Sequence, residues 1–301
     1  MVENASLTDQ EVEQIGRWWQ RGALVALALA GLVVGWALSA VLFPRPKVGI
    51  IHMDGEIDPY FITYYTEPLH YAAEHDDIKA IVLLVDSPGG DAATSEDLFF
   101  RILELRQKKP VVASIQRIGA SGGYYLASAS SYIYAHPSAI VGNIGVIAYM
   151  PEPFPPDEEI ATTGPFKGSG SSQVDFLRGL EAIKREFVAN VMDQRRWVLT
   201  HMHGPSRGDL LPSADKLTTG QIWTGIEAHD IGLVDELGSD LDAISKAAEL
   251  AHLANYEVVD ISALLFIEDG QYIFQRPAPP SDWYQEGAWP RYFDLYVPPA
   301  E

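Results

Sequence analysis

The stretch VVASIQRIGASGGYYLASAS, Val111 to Ser130, passes from a strand pattern to a helix pattern within a few residues. VVASI (Val111 to Ile115) is a short apolar run that reads as a buried strand. GGYYLASAS (Gly122 to Ser130) is small and apolar at helical spacing and reads as a tightly packed internal helix. Ser121 lies at the junction, in GASGG, among three glycines. A serine there is either part of a close-packed turn or a nucleophile presented at the start of a helix.

The neighbouring segments repeat the alternation. VGIIHM (Val48 to Met53) reads as a buried strand with Gly55 as its turn, Tyr64 to Glu74 as a helix, and AIVLLV (Ala80 to Val85) as a second strand. A helix over Thr94 to Arg106 leads into VVASI. The connections are long enough for parallel crossovers, so the pattern predicts an α/β domain with ligands at the carboxyl ends of the strands. Beyond it, YIYA (Tyr132 to Ala135) and IVGNIGVIAYM (Ile140 to Met150) predict further strands. A Pro-rich turn follows, then a Gly/Ser-rich loop at Gly164 to Ser172, and helices over Val174 to Leu199 and Leu241 to Ala254. No internal repeat is visible.

With 301 residues and 47% hydrophobic content, the chain can bury one sizeable core. It has no cysteine, which removes disulfides, thiolate nucleophiles and cysteine-based metal sites. The net charge of −20 argues against a nucleic-acid partner, whose phosphates need clustered Lys and Arg.

GALVALALAGLVVGWALSAVLF, Gly22 to Phe43, is uncharged and long enough to cross a bilayer as one helix. Trp18 and Trp19 are placed for a headgroup interface, and Arg17 and Arg21 on one side nearly balance Arg45 and Lys47 on the other. The expectation is an uncleaved single-pass anchor in the cell membrane, with a cleaved signal peptide as its rival because Ala37, Ser39 and Ala40 are small. The organisation expected is a polar segment 1–21, a transmembrane helix 22–43, an α/β domain beginning near Val48, and a terminal portion 255–301 with one strand and a Pro/aromatic-rich extension.

DSPGG (Asp86 to Gly90) follows AIVLLV as GASGG follows VVASI, and the two loops are expected at one sheet edge. Glycines let backbone N–H groups approach a ligand closely, and a helix starting at Gly122 directs unpaired N–H groups to the same place. Gly90 and Gly122 are thus candidate oxyanion donors, with Ser121 attacking between them. GASGG also fits the G-x-S-x-G nucleophile elbow of α/β-hydrolases, for which Asp235 and His252 would be the partners. His252, however, falls in the helical pattern AELAHLA.

Four ordered blocks, DSPGG, RIGASGGYYLASASSYIYAHPSAIVGNIGVI, GPFKG and LTTGQIWTGIEAHDIGLVDELG, together resemble the signal peptide peptidase A family of serine/lysine proteases. The resemblance spans roughly Val48 to Ala254. It implies the ClpP/crotonase spiral of ββα units, a homo-oligomeric bowl-like assembly, and a catalytic domain outside the cytoplasm. It also implies a lysine base, which maps onto Lys167 of Gly164-Pro165-Phe166-Lys167. A free lysine titrates at roughly 10.4, so burial must lower that value before the amine can serve near neutrality, and Phe166 is a candidate to desolvate it.

Three features depart from the family pattern: a short Pro-rich segment before GPFKG, Asn143 where a serine is common, and Gln221 where an arginine is frequent. The Asn143 amide is a candidate support for the lysine. His136 is a rival base, and His201 with His203 lacks the carboxylate pattern of a metal site. No metal or other cofactor is expected. The resemblance implies a membrane-anchored serine endopeptidase acting on hydrophobic peptides such as released signal peptides or membrane-protein tails. The alternatives are cleavage of stomatin-like tails, acyl-CoA chemistry of the crotonase type, and an inactive peptide-binding scaffold.

Overall fold

The computed structural model describes residues 9–42, 45–150, 163–164, 166–167, 169–204, 211–268 and 271–272. It divides into two compact units at Arg45 and Pro46. The first contains one helix, α1 (Asp9–Leu42), whose described side chains from Arg21 to Gly35 are all exposed, Leu24, Leu27 and Val33 among them. Among the described residues no helix is long and apolar enough to cross a membrane. The uncharged run of the sequence continues past Gly35 to Phe43.

The second unit runs β1 (Lys47–Ile57), α2 (Ile62–Glu74), β2 (Ile78–Gly90), α3 (Ala92–Lys108), β3 (Val111–Ala120), α4 (Gly122–Ser128), β4 (Tyr132–Ala135) and β5 (Ile140–Gly142). Then come α5 (Gln173–Val198), β6 (Ile222–Thr224), β7 (Glu236–Leu237), a helix over Asp240–Leu250, and β8 (Glu257–Asp260). The sheet order is β6-β5-β3-β2-β1-β8, with β4 beside β3 and β7 beside β4. Only β5 and β6 pair antiparallel; the other pairs in this sheet are parallel. The α/β alternation read from the sequence is therefore present.

The segment AIVLLV is buried at every position, as expected for a parallel strand covered on both faces. On one face, Leu98, Phe99 and Ile102 of α3 pack with Tyr124 and Tyr125 of α4 and with Phe187, Val188 and Val191 of α5. On the other, Ala243, Ala247 and Ala248 of the Asp240–Leu250 helix lie against Val48, Ala80, Val82 and Val112.

Three strands are longer than the apolar runs suggest. DSPGG is not a free loop: β2 continues through it, with Ser87 opposite Gly119 and Gly90 opposite Ile57. The cause is a change of register between Asp54 and Glu56 on β1 and between Val85 and Ser87 on β2, with Gly55 taking a φ of 80° at the irregularity. Gly55 is thus a bulge within β1 and not its end. β3 changes neighbours part-way: Val112 to Ile115 pair with β4, and Ile118 to Ala120 pair with β5. The strand expected over Ile140 to Met150 ends at Gly142, and Ile147 and Tyr149 are exposed. The helix expected to Ala254 ends at Leu250, with His252 at a φ of 57° just beyond it.

The terminal portion supplies β8, which pairs with β1 from Lys47 to Ile50. The Pro/aromatic extension from Gly270 onward lies outside the described residues except for Gln271 and Tyr272.

The packing of α4 gives a direct test. A Cβ on Gly123 would stand 2.3 Å from the Ser87 carbonyl oxygen, whereas one on Gly179 in α5 would meet nothing within 4 Å. In urea unfolding, Gly123→Ala is expected to cost about 1–3 kcal/mol by overpacking. Gly179→Ala is expected to be neutral or to gain up to about 1 kcal/mol from helix propensity.

Candidate active site

The backbone at Ser121 is strained. With φ at 51° and ψ at −124°, it occupies a region that a residue with a Cβ rarely enters. The conformation is held from both sides: the Ser121 N–H donates to the Gly142 carbonyl at 2.8 Å, and the Tyr125 N–H donates to the Ser121 carbonyl at 2.9 Å. A serine preceding a helix ordinarily accepts a hydrogen bond from the first turn. Here Ser121 makes no such side-chain cap, so its hydroxyl is not spent on the helix it introduces.

Around this turn the glycines are required by contact. A Cβ on Gly122 would lie 2.3 Å from Ser95 Oγ, whose hydroxyl is tied to the Asp91 carbonyl at 2.8 Å. A Cβ on Gly89 would lie 2.6 Å from the Gly122 nitrogen and 2.7 Å from Ser121 Cβ. The sequence reading singled out Gly90 and Gly122. Gly90, at a φ of 157°, leaves no room for a Cβ beside the Ile57 carbonyl oxygen, 2.2 Å away. Gly89, the residue before it, is where an added Cβ would meet Ser121. Its N–H donates to Ser87 Oγ at 3.2 Å, and only the unusual pairing of two glycines in DSPGG hinted at this division of labour. The first N–H of α4, on Gly122, has no acceptor within the helix and sits beside the nucleophile candidate. Asp86 turns to the opposite side, where its carboxylate accepts from Arg117 Nε at 2.8 Å.

Lys167 lies in the GPFKG loop. It is exposed, in a turn closed by its own N–H on the Gly164 carbonyl at 3.2 Å, and Phe166 is 48% exposed. The desolvation that a lysine base needs is therefore not supplied by the GPFKG loop within the single chain. The Asn143 side-chain Nδ2 donates to the Gly220 carbonyl at 3.0 Å, and the Asn143 N–H to the Gln221 carbonyl at 2.8 Å. That amide braces the β5–β6 connection and holds Asn143 at a φ of 52°.

Asp235 is fully buried against Arg195, so the hydrolase arrangement with His252 is not assembled. His136 contributes its backbone, accepting from Ala139 and donating to Ile115. His203 contacts Asp235 at 3.0 Å and His201 the Trp197 carbonyl at 2.7 Å, and among the described residues no cluster suited to a metal ion occurs.

Comparison with known proteins decides the family. The model of Peptidase family S49 matches residues 104–254, which include the strained serine and its helix. The chain belongs to peptidase family S49. Its similarity extends to a Methanocaldococcus jannaschii protein with a provisional protease name, 33% identical over 264 residues, 79% of this chain and 82% of that one. It is also similar to Protease 4 of Salmonella typhi, 32% identical over 73% of this chain and 35% of the relative. Serine protease SPPA, the chloroplast protein of Arabidopsis thaliana, is 30% identical over 62% of this chain and 28% of its own length. The chain thus spans about a third of the longer S49 relatives. A solved membrane-bound stomatin-specific protease superposes at a TM-score of 0.46 with 20% identity, over 68% of this chain and 81% of its own. The resemblance to signal peptide peptidase A read from the four sequence blocks holds at the level of family.

Strain at Asn143 is separable from its hydrogen bond. Asn143→Gly and Asn143→Ala both remove the amide, but only alanine pays for the positive φ. Asn143→Ala is expected to be the less stable of the two by about 1 kcal/mol in chemical denaturation.

Proposed function

We propose that the chain is a serine endopeptidase in which Ser121 attacks the scissile carbonyl and forms an acyl-enzyme. The observation that carries this reading is the strained, uncapped serine at the start of a buried helix. Strain of this kind persists where the surroundings over-determine it, and it turns the hydroxyl away from the helix towards a ligand. The N–H groups of Gly90 and Gly122 are the proposed donors to the developing oxyanion. Neutral Lys167 takes the serine proton and returns it to the leaving amine.

Since Lys167 is exposed in the single chain, the base requires cover from outside its own loop. A neighbouring copy in a homo-oligomer is the proposed source. The ClpP/crotonase-type spiral is the proposed fold type, supported by β3 changing neighbours part-way along its length. The substrate class is hydrophobic, extended peptide, including released signal peptides and membrane-protein tails, with tails of stomatin-like proteins as a narrower alternative. Anchoring through residues 22–43 in the cell membrane is supported by the uncharged run and by the exposed apolar side chains of α1, and the placing of the catalytic unit outside the cytoplasm rests on the family resemblance alone.

A second reading, a peptide-binding scaffold without turnover, is favoured by that same exposure of Lys167. Cleavage of a hydrophobic reporter peptide by the full chain separates the two. Ser121→Ala and Lys167→Ala are expected to abolish cleavage and His136→Ala to preserve it. Cleavage that survives Lys167→Ala would remove the lysine from the mechanism. A folded wild type that binds the peptide without cutting it would establish the scaffold.

A further inference from the structure

Arg195, in α5, has no solvent exposure at all. Its Nη1 and Nη2 donate to the Asp235 carboxylate at 2.8 and 2.9 Å, and its Nε donates to the Gly232 carbonyl at 3.1 Å. Asp235 also accepts from the Ile133 N–H at 2.8 Å and lies 3.0 Å from His203 Nε2. Burial opposes charge on both members, and their pairing outweighs it: the guanidinium is held above its ordinary range and the carboxyl below. A buried pair of this kind generally contributes little more than apolar side chains of the same volume would. Stability alone is a weak reason for it.

Its geometry supplies a better one. A single rigid guanidinium fork holds both ends of the four-residue segment Gly232 to Asp235. Between those ends, the Leu233 carbonyl accepts from the Tyr124 hydroxyl at 2.7 Å. Tyr124 is fully buried in α4, three residues after Ser121, and burial keeps its phenol protonated and therefore a donor far above ordinary pH. On the other flank, Asn190 of α5 donates to the Tyr125 hydroxyl at 2.7 Å. The glycine contacts set how near α4 lies to β2. A directional hydrogen bond from Tyr124 to a carbonyl outside α4 is suited to fixing the rotation of that helix, which carries the Gly122 N–H and follows directly on Ser121.

We propose that Tyr124, Arg195 and Asp235 are positioning residues for Ser121, acting through the Leu233 carbonyl. The inference rests on the peptidase reading above and adds to it the support that holds the elbow in register. None of the three touches the reacting atoms.

The test uses the full chain and a hydrophobic reporter peptide, with kcat and KM measured separately and folding followed by circular dichroism and thermal unfolding. Tyr124→Phe removes one hydroxyl and keeps the ring. The double variant Arg195→Met/Asp235→Leu replaces the pair without stranding a charge. Tyr124→Phe is expected to stay folded and to lose roughly ten- to a hundredfold in kcat, with KM within about twofold, as a displaced nucleophile would. If the pair acts through Tyr124, adding Tyr124→Phe to the double variant causes little further loss. Wild-type kcat in folded Tyr124→Phe, or losses that simply multiply when the variants are combined, would overturn the inference while leaving the peptidase intact. A folded wild type without cleavage would overturn the peptidase reading and the inference with it. Should the double variant not fold, Tyr124→Phe decides alone.

Discussion

In the α/β unit, β2 and α4 meet backbone to backbone. β2 and the first turn of α4 lie so near one another that a Cβ on Gly123 would stand 2.3 Å from the Ser87 carbonyl oxygen, and a Cβ on Gly89 2.7 Å from Ser121 Cβ. Nothing larger than hydrogen fits at these positions. The consequence spreads outward: α4 is buried at every residue, β3 must turn sharply into it, and the turn places Ser121 at a positive φ that Gly142 and Tyr125 secure through the main chain. α3 and α5 then fill the volume around the helix, Phe99 stacking on Tyr125 with ring centroids 4.2 Å apart.

Much of this was legible because it depends on local residue choice. Buried parallel strands announce themselves as unbroken apolar runs, and AIVLLV, VVASI and YIYA fall inside β2, β3 and β4. The helix after GASGG follows from its small apolar residues. What the local pattern did not contain was pairing. DSPGG looks like a turn because its residues favour turns, yet its backbone finds partners on β1 and β3 once the register shifts, and it becomes the end of a strand. The opposite error occurs at Ile144 to Met150, where a strand-like run leaves the sheet after Gly142. Propensity is overridden in both directions by which neighbour is available.

The site was legible in the same uneven way. Ser121 and Gly122 are adjacent in sequence and their relation is fixed by one turn. Gly89 was not singled out, because its role appears only when DSPGG is laid against the elbow. Asn143 was expected to support the lysine through its amide oxygen; its Nδ2 donates to the Gly220 carbonyl, a contact between residues far apart in the chain. Lys167 exposes a physical requirement that sequence cannot meet: a lysine base needs an apolar, water-poor surrounding, and in the single chain neither it nor Phe166 is covered. The buried Arg195–Asp235 pair gave little signal in advance, since a charged residue on a helix is usually solvated.

The nucleophile is the point on which the functional account turns. Reaction of the full-length chain with a serine-directed fluorophosphonate, followed by peptide mapping in a mass spectrometer, tests it most directly. A single adduct on Ser121, absent after denaturation before labelling, is the expected result. An adduct on another residue, or none on a chain whose circular dichroism shows it folded, would contradict a catalytic role for Ser121.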